Sequence, residues 1–332
     1  MPTQHDGNGY DWDAYARDGY LDLGRVLGPD QVGALCDRAD ALALGCHTNP
    51  AVQLQLDTGG AYDELAPIVD RFDDGTLGYR KIQGLEFDDR FGEVVRDPAF
   101  VEVCARQYGP HVPVSIFRAM VMNKPAGQGT HLPWHQDGGA VWALDRDPLV
   151  TTWIALDRAD AENGCMEIVP GSHRLGLLSW YGSQVTDEVV ADHCGAESVR
   201  LLPVEAGHAV LVHNWLLHRS GVNPSSLPRR AFTCCYLDGR TRSQLTGDLF
   251  PSAWGTVPDE PPPFLDHLRR ENGLLRESHS RAEEYALSLV EENKKLHAAI
   301  DDATTYARTL ETELTRVNTL GSAEPDAEPC GG

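Results

Sequence analysis

The sequence predicts a mainly β chain, a barrel or jelly roll with flanking helices, extended by a long C-terminal helix of the coiled-coil kind. Three observations predict it. Between Val112 and Leu237, short apolar runs are separated by Gly, Pro and Asn, the texture of many short strands joined by turns. Before that stretch, apolar residues recur at helical spacing. After it, beyond a run of prolines, they recur every seven residues.

From about Asp11 to Tyr108 the signals are mainly helical. Pro29 and Asp30 open a run in which Val32, Leu35, Cys36, Ala39 and Leu42 share one helical face. Phe91 to Tyr108 reads as helix around Asp97-Pro98 and is closed by Gly109-Pro110. In the β region Val150, Thr152, Ile154 and Leu156 alternate with a second set. Asn163-Gly164 predicts a hairpin turn before Met166, Ile168 and Val169. Ala209 to Val212 and Ala231 to Leu237 are further strand-like runs. Pro258 and Pro261 to Pro263 then mark a boundary. Beyond it Leu268, Leu275, Ala282, Leu289, Leu296, Ala303, Leu310 and Val317 form one series, and Asn272, His279, Ala286, Asn293, Ile300, Ala307 and Leu314 the other. These are the d and a positions of a heptad seam, and a polar Asn293 at an a position fixes register in a two-stranded coil. A helix over 264–320 would run roughly 85 Å at 1.5 Å per residue. The expected organisation is a body over 1–257, a Pro-rich linker at 258–263, a coiled-coil helix over 264–320 that makes a homodimer, and a disordered tail at 321–332.

The 332 residues suffice for a large core and an appendage. Lys and Arg number 28 against 50 Asp and Glu, a net charge of −22. Nucleic-acid affinity and docking on anionic lipid both need clustered cations, so neither partner is expected. No stretch approaches the ~20 apolar residues of a membrane span. The eight cysteines form no CxxC pair, and Cys165 and the adjacent Cys234 and Cys235 read as buried thiols. A reduced, cytoplasmic protein is the expectation.

Chemistry concentrates at His135-Gln136-Asp137. In a strand, side chains at i and i+2 project to one face, so His135 and Asp137 can reach one metal. One further histidine would complete a set of two imidazoles and a carboxylate, which occupies one face of a ferrous ion and leaves positions open for oxygen and a co-substrate. Downstream stand His218-Arg219-Ser220-Gly221-Val222-Asn223 and then Arg229. An arginine near such an iron suits bidentate holding of a carboxylate, and Ser220 can add a hydroxyl donor.

These segments resemble the phytanoyl-CoA dioxygenase family of iron(II)/2-oxoglutarate oxygenases. The resemblance rests on Asn123-Lys124-Pro125, Trp134-His135-Gln136-Asp137, Trp153 to Asp157, Glu162 to Cys165, Pro170-Gly171-Ser172-His173, and His218 through Arg229, in family order over roughly Gly19 to Asp238. It implies a double-stranded β-helix holding iron(II) on His135, Asp137 and His218, with 2-oxoglutarate and O2 as co-substrates. It also implies that Arg229 and Ser220 bind 2-oxoglutarate, and that Lys81, Met120 and Trp153 line its pocket. His213 lies five residues before His218, and the Ser220, Asn223 and Arg229 context selects His218. Family members that halogenate lack the carboxylate that Asp137 supplies here, so halogenation is not expected. Gly207-His208 departs from the family's Gly-Asp. Arg230 should point to the opposite face from Arg229 and be solvated.

The expected function is oxidation of an unactivated C–H bond of a small molecule, by hydroxylation or oxidative ring closure, in natural-product biosynthesis. Residues 1–263 carry 36 acidic against 20 basic residues, and no Lys/Arg cluster outside the co-substrate site stands ready for the phosphates of an acyl-CoA. The alternative reading is a non-catalytic β-barrel module dimerised by its coiled coil.

Overall fold

Strand-forming runs build two antiparallel sheets in the computed structural model, which describes residues 9–59, 62–179 and 181–257, together with 288–289, 293–297, 300, 303–304, 308, 310 and 312. The elements in order are α1 (Trp12–Asp18), β1 (Tyr20–Arg25), α2 (Pro29–Ala43), β2 (Gln53–Leu56), β3 (Ile68–Val69), β4 (Tyr79–Gln83), α3 (Asp89–Val95), α4 (Pro98–Tyr108), β5 (Val114–Lys124), β6 (Leu132–Gln136) and β7 (Val150–Ala155). There follow β8 (Met166–Ile168), β9 (Ser183–Gln184), α5 (Asp187–His193), β10 (Arg200–Leu202), β11 (His208–Val212), β12 (His218–Ser220), β13 (Arg229–Asp238) and β14 (Ser252–Trp254). The larger sheet runs β1-β11-β7-β13-β5-β4-β2-β3 with β14 on β5, and the smaller runs β10-β8-β12-β6-β9. The chain is mainly β, as expected, with few helices.

Alternation along β13 shows how the larger sheet divides its labour. Phe232, Cys234 and Tyr236 join the main core, with Leu35, Ala39 and Leu42 of α2, Phe91 and Val95 of α3, and Phe100 and Val103 of α4. Burying each large side chain there contributes roughly 1.5–3 kcal/mol. Arg229, Thr233 and Cys235 face the other way, into a cavity whose far wall is His135, Met166 and His218 of the smaller sheet. Cys234 and Cys235 therefore lie on opposite faces, both buried, and the seven described cysteines are unpaired thiols.

Local signals explain the helices. Pro29 opens α2 behind Gly28, whose N–H donates to the Gln31 side chain at 2.9 Å. The helix expected over Phe91 to Tyr108 is two helices, because Asp97 caps α4 through the Ala99 N–H at 2.8 Å and Pro98 occupies its first turn.

Two expectations need correction. The Asp11 to Tyr108 region is not helical throughout: β1 pairs with β11 at one edge of the larger sheet, and β4 pairs with β5 towards the other. Tyr79-Arg80-Lys81-Ile82-Gln83 carries a weak strand pattern, and its pairing partners decide its state. The Asn163-Gly164 turn forms, with Gly164 at φ +78, but it joins no paired strands. It carries the chain from β7 in the larger sheet to β8 in the smaller.

By contacts the chain divides into two units, Met1–Pro261 and Pro262–Gly332. The linker 258–263, the tail 321–332 and most of the expected coiled coil over 264–320 lie outside the described residues; those described within it are helical. Among the described residues no helix is long and apolar enough to cross a membrane.

Candidate functional site

β6 and β12 are adjacent antiparallel strands, and their register sets His135 opposite His218. The two imidazoles meet with ring centroids 3.9 Å apart. Asp137 follows β6 by one residue, its N–H donating to the Asn214 carbonyl at 2.7 Å. Donor atoms of His135, Asp137 and His218 all lie within 4.8 Å of one another. Between the first two, Gln136 points away and is buried, donating to the Gly176 and Trp215 carbonyls and accepting from the Leu178 N–H. It anchors the strand that presents its neighbours.

Both histidines are held for one task. Nδ1 of His135 lies 2.9 Å from the Pro133 carbonyl, and Nδ1 of His218 lies 2.9 Å from the Leu216 carbonyl. Each carbonyl needs a donor, so each Nδ1 carries the proton and each Nε2 offers its lone pair inward. Burial, then the neighbouring His218, pushes His135 down to about 3, so it is a neutral imidazole at physiological pH. The donor set suits iron(II): two imidazoles and a carboxylate gathered on one side of an open cavity.

The cavity measures about 220 Å³. Arg229, Ser220, Lys81, Met120 and Trp153 all line it beside the histidine–aspartate trio. Arg229 is buried, donates to the Gly164 carbonyl at 3.0 Å and lies over Trp153 at 5.7 Å, while its Nε is without a partner. Burial pulls its guanidinium down to about 10. A buried cation with an unused donor and, among the described residues, no carboxylate in ion-pair contact is suited to an anionic ligand. Asn223 has a scaffolding part: its amide donates to the Lys124 and Leu227 carbonyls at 2.9 and 2.7 Å, fastening the loop that leads into Arg229.

His213 and His173 lie elsewhere. Their rings face each other at 4.9 Å and neither lines the cavity. Gly207 adopts φ +81, with its carbonyl accepting from the Val26 and Leu27 N–H groups, so the turn into β11 forms with histidine after it. Arg230 is not solvated. It forms a paired contact with Asp157 at 2.8 and 3.0 Å and reaches Asp40 of α2 at 3.1 Å.

Sequence reasoning missed Arg118, Met122, Arg80 and Trp142, all of which line the cavity. The period of two along β5 was the available signal, because Arg118, Met122 and Lys124 share a face with Met120.

A family model described as phytanoyl-CoA dioxygenase (PhyH) matches residues 15–231. The chain belongs to this family. It is accordingly an iron(II)/2-oxoglutarate-dependent dioxygenase, which sets aside the reading as a non-catalytic module. Among curated relatives, an L-proline trans-4-hydroxylase from Streptomyces griseoviridis is 28% identical over 246 residues, covering 67% of this chain and 83% of the relative. Two solved structures share the fold. EctD from S. alaskensis, in its apoform, matches with TM-score 0.56 at 19% identity, over 73% of this chain and 81% of EctD. The epimerase SnoN, in complex with Fe3+, alpha ketoglutarate and a nogalamycin, matches with TM-score 0.51 at 19% identity, over 75% of this chain and 91% of SnoN.

Proposed function

We propose that this dioxygenase oxidises an unactivated C–H bond of a small polar molecule, by hydroxylation or oxidative ring closure, in natural-product biosynthesis in the cytoplasm. In this reading the core is a double-stranded β-helix, His135, Asp137 and His218 hold iron(II), and Arg229 and Ser220 hold the distal carboxylate of 2-oxoglutarate. Lys81, Met120 and Trp153 form the walls around that co-substrate. The observation that carries the assignment is the trio of donor atoms within 4.8 Å in the same cavity as a buried arginine with an unpartnered Nε.

Bound iron(II) supplies the redox chemistry, in which O2 is consumed, 2-oxoglutarate becomes succinate and carbon dioxide, and the substrate C–H bond is oxidised. The chain's own groups orient and enclose. The two Nδ1–carbonyl contacts fix the imidazoles in the donor tautomer. Arg229 and Trp153 fix the co-substrate's far end, and the two sheets exclude water from the reacting centre. A cavity of about 220 Å³ is below the ~300–1,000 Å³ of drug-sized ligand sites, which favours a compact substrate over an acyl-CoA. The proline hydroxylase relative supports the same size class. We further propose that the heptad series over 264–320 pairs two chains.

Anaerobic addition of iron(II) and 2-oxoglutarate should raise a weak visible charge-transfer band. His135→Ala and Asp137→Ala should abolish it, and Arg229→Ala should weaken 2-oxoglutarate binding at least a hundredfold. An undiminished band in both ligand variants would overturn the assignment.

A further inference from the structure

The chain is strongly acidic, yet its cavity is not. Among the described residues that line it, Arg80, Lys81, Arg118, Lys124, Arg219 and Arg229 are basic and Asp137 alone is acidic. Some of this charge has a local use. Arg219 pairs with Glu167 at 2.8 Å, and Arg80 donates to the Gln55 side chain at 2.9 Å. Lys124 and Arg229 are register partners on β5 and β13, so they form one pole, the pole assigned above to the distal carboxylate of 2-oxoglutarate.

Arg118 forms the other pole. Its register partner on β13 is Cys235, six residues along the strand from Arg229. At ~3.3 Å per residue the two backbone positions are about 20 Å apart. A five-carbon dicarboxylate has four C–C bonds of about 1.5 Å and spans a fraction of that. With the distal carboxylate of 2-oxoglutarate at Arg229, that carboxylate is out of reach of Arg118.

The guanidinium of Arg118 is nevertheless held in place. It lies 4.1 Å from the Trp142 ring and 5.1 Å from that of Phe117, and those two rings stack at 4.9 Å. Its only charge partner among the described residues is Asp137, at 3.8 Å, which is too long for a hydrogen bond. Its side chain lines the cavity and is 35% exposed. A planar cation fixed on an aromatic shelf, with its N–H fork unused, is preorganised for a carboxylate. It sits beside Asp137 and six residues along the strand pair from the co-substrate's anchor.

We propose that Arg118 binds the substrate, and that the substrate is a small molecule bearing a carboxylate. The Arg118 fork holds that carboxylate while the C–H bond to be oxidised rests against the His135–Asp137–His218 trio. This rests on the oxygenase reading above and adds to it the substrate's charge and the residue that reads it.

The test uses the full chain with iron(II) and 2-oxoglutarate. The probes are the common L-amino acids and 2-hydroxy acids, each with its own carboxamide, and small phosphate monoesters as a third arm. Binding is read anaerobically as a shift of the charge-transfer band, and turnover as probe-stimulated succinate release in air. At least one acid should respond, with its amide weaker by tenfold or more. Arg118→Gln should raise the KM of that acid at least tenfold, leave its amide unchanged, and keep kcat, iron retention and 2-oxoglutarate affinity within twofold. Arg118→Lys should recover part of the acid preference. Acids and amides that act alike, no response from any acid, or a response confined to phosphate esters would overturn the proposal. So would Arg118→Gln losing iron with its acid preference intact, which would make Arg118 only a brace for Asp137. An absent charge-transfer band in the unaltered protein would instead bring down the oxygenase reading itself.

Discussion

Two lysines reach the cavity with amines that their surroundings push towards neutrality. Burial, then the nearby Arg229, lowers Lys124 to about 7; burial, then Arg118, lowers Lys81 to about 8. Both have less charge above those values than an exposed lysine, whose ordinary value is near 10.5. A dianion bound beside Arg229 favours the charged amine, so 2-oxoglutarate binding should draw a proton onto Lys124 at pH values above about 7. Affinity is then greatest at pH 7 and below and weakens as pH rises, by up to tenfold per unit. Calorimetric titration of the nickel(II)-loaded protein with 2-oxoglutarate, in two buffers of different ionisation heat, measures the proton uptake directly. Lys124→Met should reduce the uptake at pH 8 and flatten the profile, whereas unchanged uptake in that variant would place the titrating group elsewhere.

At the scale of elements, Arg230 ties a helix to a sheet. Its position on β13 sends it to the outer face, where Asp157, just after β7, and Asp40 of α2 converge on one guanidinium. Removing the arginine leaves two partly buried carboxylates facing each other, whereas removing Asp40 leaves the paired contact with Asp157 intact. Arg230→Met should therefore cost about 3 kcal/mol in chemical denaturation, the scale of breaking a buried ion pair, and Asp40→Asn less than about 1 kcal/mol. Equal losses would mean that the tie runs mainly through Asp40. The contrast between Arg229 and Arg230 also shows what could be read from the chain. Strand alternation separated them, and the same period put His135 and Asp137 together. The partner of Arg230 was not legible, because Asp40 is 190 residues away and lies on a helix face that apolar spacing alone defined. β1 and β4 went unread for a related reason: Tyr20–Arg25 and Tyr79–Gln83 are too polar to announce strands and owe their state to β11 and β5. The cation row on β5 was hidden differently. Arg118 and Lys124 are ordinary residues in sequence and become a two-pole cavity only when β13 lies alongside.

For the whole molecule, the division of labour between the two units makes a separable claim. All the residues that line the cavity fall between Tyr62 and Cys235, within the unit Met1–Pro261. In the second unit the described residues are helical, and Leu289, Leu296, Ile300 and Leu310, at d, d, a and d positions, are 45–60% exposed. An apolar stripe with that spacing is stabilised by burial against a like helix, at roughly 0.8 kcal/mol per buried methylene. Truncation after Pro261 should thus turn a dimer into a monomer in sedimentation while the iron(II)–2-oxoglutarate charge-transfer band and 2-oxoglutarate affinity stay within twofold. Asn293→Leu in the full chain should raise thermal stability of the assembly and loosen its two-chain preference, since the polar a position would no longer select register. A full-length monomer would remove the pairing proposal, and a truncated chain that keeps the dimer would move the interface onto the catalytic unit. Loss of the band on truncation would mean that the C-terminal unit supports the site, contrary to where its lining residues lie.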